Sequence, residues 1–362
     1  TRCLVREIEF AISEVGLGDL LRHAAEELDR FSDLEVRFLE DAAHISVRLN
    51  AFGSNTFVSF RAALIPPEPP RVDELHLSLY DYRAYGPLPY PARLVAFELM
   101  TGLLNTSVLR PPGRGESFTI GVAGDILSMR PLKLLLLHIF PRVGWKLPNL
   151  STIALEGAKI RPGVLTIRAS SRDEDWKGGG NRNVYQLGGT REGARALAAY
   201  EAKDMFGRAD QALFDGQIRQ AMDLLAGYRD VYGLHRELVS RTLDCLLADP
   251  TPSHLAEVEA LGNELAEDEG DELLAALARP VVATVRGNRG QLVERFQELA
   301  DLLRERGETA DWILAQLALA QEVESDDPER AADALRDVLK VSPRNRVALE
   351  QLRELYGRLG ET

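Results

Sequence analysis

The chain has 362 residues, enough for two domains of ordinary size. Residues 1–170 contain 19 basic and 19 acidic residues, whereas the rest contains 24 basic and 37 acidic ones, so the whole net charge of −13 lies after residue 170. Because an acidic surface repels phosphate backbones and the neutral first part has no basic stripe, this composition argues against nucleic acid as a partner.

The cellular compartment is predicted from three features that the sequence lacks: a disulfide framework, a signal peptide and a membrane-spanning segment. Cys3 and Cys245 lie in different predicted domains, which argues against a disulfide framework and fits a reducing compartment. No signal peptide opens the sequence at Thr1, and no apolar run has the roughly 20 residues of a membrane-spanning helix. We therefore predict a cytoplasmic protein, or a periplasmic one if a longer leader was removed.

The first part of the chain reads mainly as β-strands. Apolar and polar residues alternate in eight segments, at 6–12, 34–38, 44–49, 57–64, 75–80, 117–122, 152–157 and 164–169. Alternation gives each strand one apolar and one polar face. It therefore predicts an antiparallel sheet whose polar face is exposed to water.

Three apolar helices are predicted among these strands, at 17–31, directly after Pro91, and from Pro131 to Pro141. Together these helices have more apolar surface than one sheet layer can cover. This excess indicates a groove for an apolar ligand. The alternative is a core that side chains fill completely. The residues predicted to line the groove are Phe97, Met100, Leu104, Leu134, Leu135, Leu137 and Phe140.

Residues 171–192 are rich in glycine and charged residues and are predicted to form a linker or loop. The spacing of apolar residues changes after this stretch. From there to residue 362 the apolar residues recur with the 3.6-residue period of helices. We predict about three helix pairs that stack as a curved solenoid with a protein-binding groove. An irregular domain of amphipathic helices is the alternative.

The last of these pairs resembles a tetratricopeptide repeat. The residues that carry the resemblance are Ala331, Leu335 and Val338 in one helix, Pro343 at the turn, and Leu349, Leu352 and Tyr356 in the next helix. Arg353 stands where the family has a glycine that permits close helix contact. The resemblance implies a module that recruits a partner protein.

The sequence contains no recognisable catalytic or metal-binding motif. The six histidines form no H-x-x-x-H pair, and neither a G-x-S-x-G elbow nor a phosphate-binding loop is present. The glycines at 178–180 precede no Lys-Ser or Lys-Thr pair, and His138 reads as a packed core residue. We therefore predict a non-enzymatic protein without catalytic residues, metal or cofactor; a hydrolase with an unrecognised site is a third alternative.

Residues 132–170, LKLLLLHIFPRVGWKLPNLSTIALEGAKIRPGVLTIRAS, place an apolar helix before two alternating strands. With the order of the preceding elements, they resemble the tubular lipid-binding superfamily, which includes the bactericidal/permeability-increasing proteins, over about residues 4–170. That resemblance implies a long curved antiparallel sheet wrapped around a helix, with a tunnel for acyl chains.

Together these patterns predict an α+β fold: a curved antiparallel sheet around apolar helices at 1–170, a linker at 171–192, and an all-α domain resembling tetratricopeptide repeats at 193–362. The predicted function is lipid binding or transfer, with a phospholipid or fatty acid as ligand, peripheral membrane contact, and a protein partner held by the helical repeats. The alternative is a protein–protein interaction scaffold with no lipid ligand.

Overall fold

The structure is a computed structural model that describes residues 7–51, 54–65, 74–86, 91–106, 119–123, 125–130, 153–171, 190–269 and 272–360. Antiparallel strands occupy the N-terminal part of the chain, and a run of helices follows them. The predicted α+β class is therefore confirmed. Among the described residues, no helix combines the length and the apolar character needed to cross a bilayer.

The described strands form two sheets. They are β1 (Glu7–Ser13), β2 (Phe31–Phe38), β3 (Ala43–Ala51), β4 (Ser54–Ile65), β5 (Leu75–Tyr85), β6 (Thr119–Ala123), β7 (Ile126–Met129), β8 (Ile153–Arg161) and β9 (Val164–Ser171). One sheet has the order β1-β9-β8 and the other has the order β2-β3-β4-β5-β7-β6. In the first sheet, Phe10 of β1 pairs with Ile167 of β9, so the apolar residues of both strands share one face.

In the described part of the N-terminal region, two helices lie among the strands, α1 (Glu14–Ala25) and α2 (Ala92–Asn105). The Ser13 hydroxyl accepts a hydrogen bond of 3.0 Å from the Gly16 amide, so α1 starts three residues earlier than predicted. It also ends earlier than predicted, at Ala25, and β2 begins at Phe31. Helix α2 begins directly after Pro91, as predicted, and the third predicted helix lies outside the described residues.

Nine helices follow in the described C-terminal part. They are α3 (Arg191–Phe214), α4 (Ile218–Tyr232), α5 (Arg236–Ala248), α6 (Pro252–Glu269), α7 (Glu272–Val285), α8 (Arg289–Glu305), α9 (Thr309–Val323), α10 (Pro328–Val341) and α11 (Arg346–Leu359). Asn288, Asp327 and Asn345 cap three of them by accepting hydrogen bonds from backbone amides of the first turn. From α4 to α11, each helix packs against its neighbours in the sequence.

The chain divides into two compact units. The first comprises residues 1–46, 60–82 and 96–207, and the second comprises residues 47–59, 83–95 and 208–362. Among its described residues, the second unit contains an apolar core around Phe296, Trp312 and Leu335 and another around Val258 and Leu265. Most of the predicted linker at 171–192 lies outside the described residues, so the predicted domain boundaries stay a prediction.

The polar face of β4 is not exposed to water, so that expectation is wrong for this strand. Ser59 and Arg61 point to its polar side, and they are only 1% and 4% exposed. In the first unit, Asp81 at 3.1 Å and Glu192 at 2.5 Å neutralise the Arg61 guanidinium. Carboxylates on neighbouring elements thus allow a charged strand face to be buried.

Candidate ligand-binding surfaces

Three of the residues predicted to line a lipid groove lie on α2. Phe97, Met100 and Leu104 follow the i, i+3, i+7 spacing that places residues on one side of a helix. Met100 is buried, whereas Phe97 and Leu104 are half-buried. The other four predicted residues, Leu134, Leu135, Leu137 and Phe140, lie outside the described residues.

The two sides of α2 have different surroundings. Leu99 and Leu103 are fully buried, and a methyl group at Gly102 would lie 3.1 Å from a terminal carbon of Leu28, so this side is closely packed. Leu94 continues the half-buried stripe formed by Phe97 and Leu104. An almost wholly apolar helix therefore keeps one partly accessible apolar stripe.

The first unit contains a buried ionic cluster around Arg61 and Asp81. Arg195 lies 3.5 Å from Asp81, and the Tyr80 hydroxyl donates to Glu192. Burial, and then the charge of Glu192, raises the pKa of Tyr80, so its hydroxyl keeps its proton. These groups satisfy one another, and Tyr80 and Arg61 are too buried to meet a substrate.

A second buried cluster surrounds Asp311 in the first turn of α9. One carboxylate oxygen accepts hydrogen bonds from the Ser59 hydroxyl at 2.6 Å and the Tyr85 hydroxyl at 2.9 Å. The other accepts from Arg83 at 2.9 Å, and Arg83 also donates to Glu308. Burial and the charge of Asp311 raise the pKa of Tyr85, which therefore remains a hydrogen-bond donor.

A third cluster joins Asp210, Arg241, Arg93 and Asp244 beside Cys245. Arg241 donates to both oxygens of Asp210, at 2.9 and 3.2 Å, and Arg93 donates to Asp244 at 3.2 Å. Burial raises the pKa of Cys245 to about 12, so the thiol is protonated and a poor nucleophile. Among the described residues, no group of three or more His, Cys, Asp or Glu side chains is arranged to hold a metal ion.

An open pocket of about 400 Å³ lies between α6, α7 and α8, in the second unit. This volume falls within the range of small-ligand sites. Its lining residues are Val258, Glu259 and Asn263 from α6, Ala275, Ala278, Arg279, Val282 and Ala283 from α7, and Gln291 and Arg295 from α8. The residues Ala275, Ala278, Val282 and Ala283 are buried, whereas the five polar ones are at least partly exposed. The accessible surface of the pocket is therefore mostly polar, with a small apolar floor beneath a polar rim.

Small side chains leave this space open beside two closely packed helices. A methyl group on Gly262 of α6 would lie 2.9 Å from the Cα atom of Ala275, so the two helix backbones approach closely there. Alanines at 275, 278 and 283 leave unfilled the volume that larger side chains would occupy. Asn288 caps α8 by accepting a hydrogen bond of 3.1 Å from the Gln291 amide, which fixes where the helix bearing Arg295 begins.

The charges at the rim are unevenly paired. Arg286 donates two hydrogen bonds to Glu259, at 3.0 and 2.7 Å, and Arg295 donates to both oxygens of Glu298, at 2.8 and 2.7 Å. The bond to Glu298 raises the pKa of Arg295, which stays cationic. Arg279 donates to the Asn263 amide oxygen at 3.4 Å, and no described carboxylate lies within ion-pair distance of it.

The sequence pattern did not single out this pocket. Its lining residues come from three helices, and the chain passes through about 35 residues between Val258 and Arg295. A local signal that could have pointed to it is the alanine-rich sequence of α7, which has Pro280 inside the helix. Scans against protein-family models, curated proteins and solved structures find no match to the chain.

Proposed function

We propose that the protein is a non-enzymatic adaptor whose helical part binds a partner protein. The observation that carries this proposal is the packing of α4 to α11, in which each helix lies against its neighbours in the sequence. We call α4 to α11 the array, because packing between sequence neighbours is the arrangement of helical repeat proteins, whose extended surfaces serve as binding sites for proteins.

The chemistry of the described groups supports binding over catalysis. The three ionic clusters bury their arginines, and each buried guanidinium is held by carboxylates. A catalytic site needs reactive groups that converge on an accessible pocket. The open pocket between α6, α7 and α8 is lined instead by alanines, valines, amides, the ion-paired Glu259 and Arg295, and Arg279, with no nucleophile or general base among them. The predicted resemblance of α10 and α11 to a tetratricopeptide repeat agrees with an adaptor.

Site-specific cross-linking in the cell of origin tests the adaptor proposal. A photoreactive residue is placed at Asn263, Glu298 or Asp333 of the array, or at Arg168 of β9, all exposed positions. We expect one partner protein to be captured from the array positions and not from position 168. Equal capture from both regions would instead indicate a scaffold in which both parts bind proteins, and no discrete adduct from the array would refute the adaptor.

A second candidate function, lipid binding, is favoured by the half-buried stripe of α2. Leu94, Phe97 and Leu104 form a partly accessible apolar surface on a helix whose other side is packed. Each acyl CH₂ group buried on such a surface contributes about 0.8 kcal/mol. A fatty acid or phospholipid is the ligand that this surface would take, in agreement with the predicted resemblance to tubular lipid-binding proteins.

Native mass spectrometry of the gently purified whole chain tests lipid binding. We expect a bound fatty acid or phospholipid in the wild type, and Leu104→Asp should lower its occupancy by at least about fivefold, because a carboxylate is poorly tolerated beside acyl chains. Leu197→Asp on α3 is the matched control, since Leu197 is exposed and remote in sequence from α2. A lipid-free wild-type spectrum, or equal losses in both variants, would remove this candidate.

A further inference from the structure

The pocket between α6, α7 and α8 has a chemical character that neither adaptor function nor lipid binding requires. Its floor is formed by Ala275, Ala278 and Val282, which are at most 4% exposed. Its rim carries guanidinium, carboxamide and carboxylate groups. A ligand that fits both parts has a short apolar stem and a polar, charged head.

The sign of the charge on the ligand's head group follows from how the charged side chains of the rim are paired. Glu259 is neutralised by two hydrogen bonds from Arg286, and Arg295 by Glu298. Arg279 is half-buried and has only a long hydrogen bond to a neutral amide. This guanidinium therefore offers donors to an anion, although it lies in the part of the chain that carries the whole negative charge.

The size of the negative charge is limited by the same rim. Glu259 lines the pocket and Glu298 borders it through Arg295. Because both carboxylates are paired with arginines, the rim keeps one unbalanced positive charge, that of Arg279, which matches a singly charged group better than a phosphate ester with between one and two negative charges. A carboxylate has one charge and matches the planar guanidinium of Arg279 with two parallel hydrogen bonds.

We propose that this pocket is a binding site for a carboxylate on a short aliphatic stem, with Arg279 holding the carboxylate and the floor of Ala275, Ala278 and Val282 covering the stem. Two sources present this chemistry, a free short-chain acid and the side chain of a glutamate in an acidic protein segment. The Arg295–Glu298 pair is half-exposed and contributes little to stability, so it can rearrange around the ligand.

Nuclear magnetic resonance titration of the whole chain tests the site, with the Arg279 Nε–Hε signal as the reporter. The probes are butyrate for a free acid and acetyl-Ala-Glu-Ala-amide for a protein segment, each compared with its neutral amide counterpart. We expect at least one carboxylate probe to shift the signal with a millimolar Kd, and the probe that binds more tightly identifies the source. Binding should weaken as the salt concentration rises.

Two variants distinguish specific binding at this pocket from general electrostatic attraction to the protein. Arg279→Gln should weaken carboxylate binding about tenfold, because it removes a charge-assisted pair. Arg330→Gln makes the same charge change at an exposed position of α10 and should leave binding unchanged. The proposal is overturned if the two variants behave alike, if neither carboxylate binds, or if the neutral amides or inorganic phosphate bind equally well. None of these outcomes would contradict the adaptor proposal, which is tested separately by cross-linking a partner to the array.

Discussion

Asp311→Ala is expected to destabilise the second unit by about 3–5 kcal/mol, the range for breaking a buried ion pair by removing one partner. The Asp311 carboxylate accepts hydrogen bonds from Ser59, Arg83 and Tyr85, and it is 2% exposed. Its removal leaves two buried hydroxyls without this acceptor and the buried Arg83 guanidinium with less compensating charge. Urea unfolding followed by circular dichroism measures the effect.

Asp301→Ala is the matched control for this prediction. Asp301 lies on α8, is exposed, and accepts a single hydrogen bond of 3.1 Å from Gln297, so its loss should change stability by less than about 0.5 kcal/mol. Because a chain with two compact units need not unfold in one step, amide hydrogen exchange in α9 locates the loss. Equal unfolding midpoints for the two variants would show that the cluster does not stabilise the second unit.

The strand and helix pattern of the chain was largely predictable, because burial of one face imposes a period on the sequence. Each of the eight alternating segments overlaps a strand of the structure over its described residues. The missed strand is β7, where Ile126 and Leu127 are adjacent and both buried, so no alternation marks it. The start of α1 was misplaced because the Ser13 cap, and not the first leucine of the apolar stripe, fixes where the helix begins.

The ionic clusters and the pocket were not predictable from local patterns. Arg83 and Asp311 are 228 residues apart, and alternation alone predicts that the polar residues of β4, Ser59 and Arg61, lie on a solvent-exposed face. The pocket rim is likewise assembled from α6, α7 and α8, and its free cation becomes evident only when the partners of Arg286 and Arg295 are known. Local period predicts which face is apolar, whereas the pairing of charges depends on tertiary contacts.

The cluster around Arg241 provides the second large expected effect. Arg241 is 1% exposed and donates to both oxygens of Asp210 on α3 and to Glu237. Arg241→Met should destabilise the second unit by about 3–5 kcal/mol, because it leaves the carboxylate of Asp210 buried without its main counter-charge. Urea unfolding and hydrogen exchange in α5 measure this loss.

The double variant Arg241→Met with Asp210→Leu should be more stable than Arg241→Met alone, although it removes more hydrogen bonds. Both charges of the pair disappear, so the buried carboxylate of Asp210 is no longer left without its counter-charge, and apolar side chains fill the volume. The Glu237 carboxylate loses Arg241 in both variants, and it is partly exposed to water. The Arg93–Asp244 pair beside it stays balanced, since each keeps its partner at 3.2 Å. A double-mutant cycle expresses the result as a coupling energy between positions 210 and 241. If the two single losses add in the double variant, the charges of the pair do not interact, and burial of Arg241 stabilises the unit through packing alone.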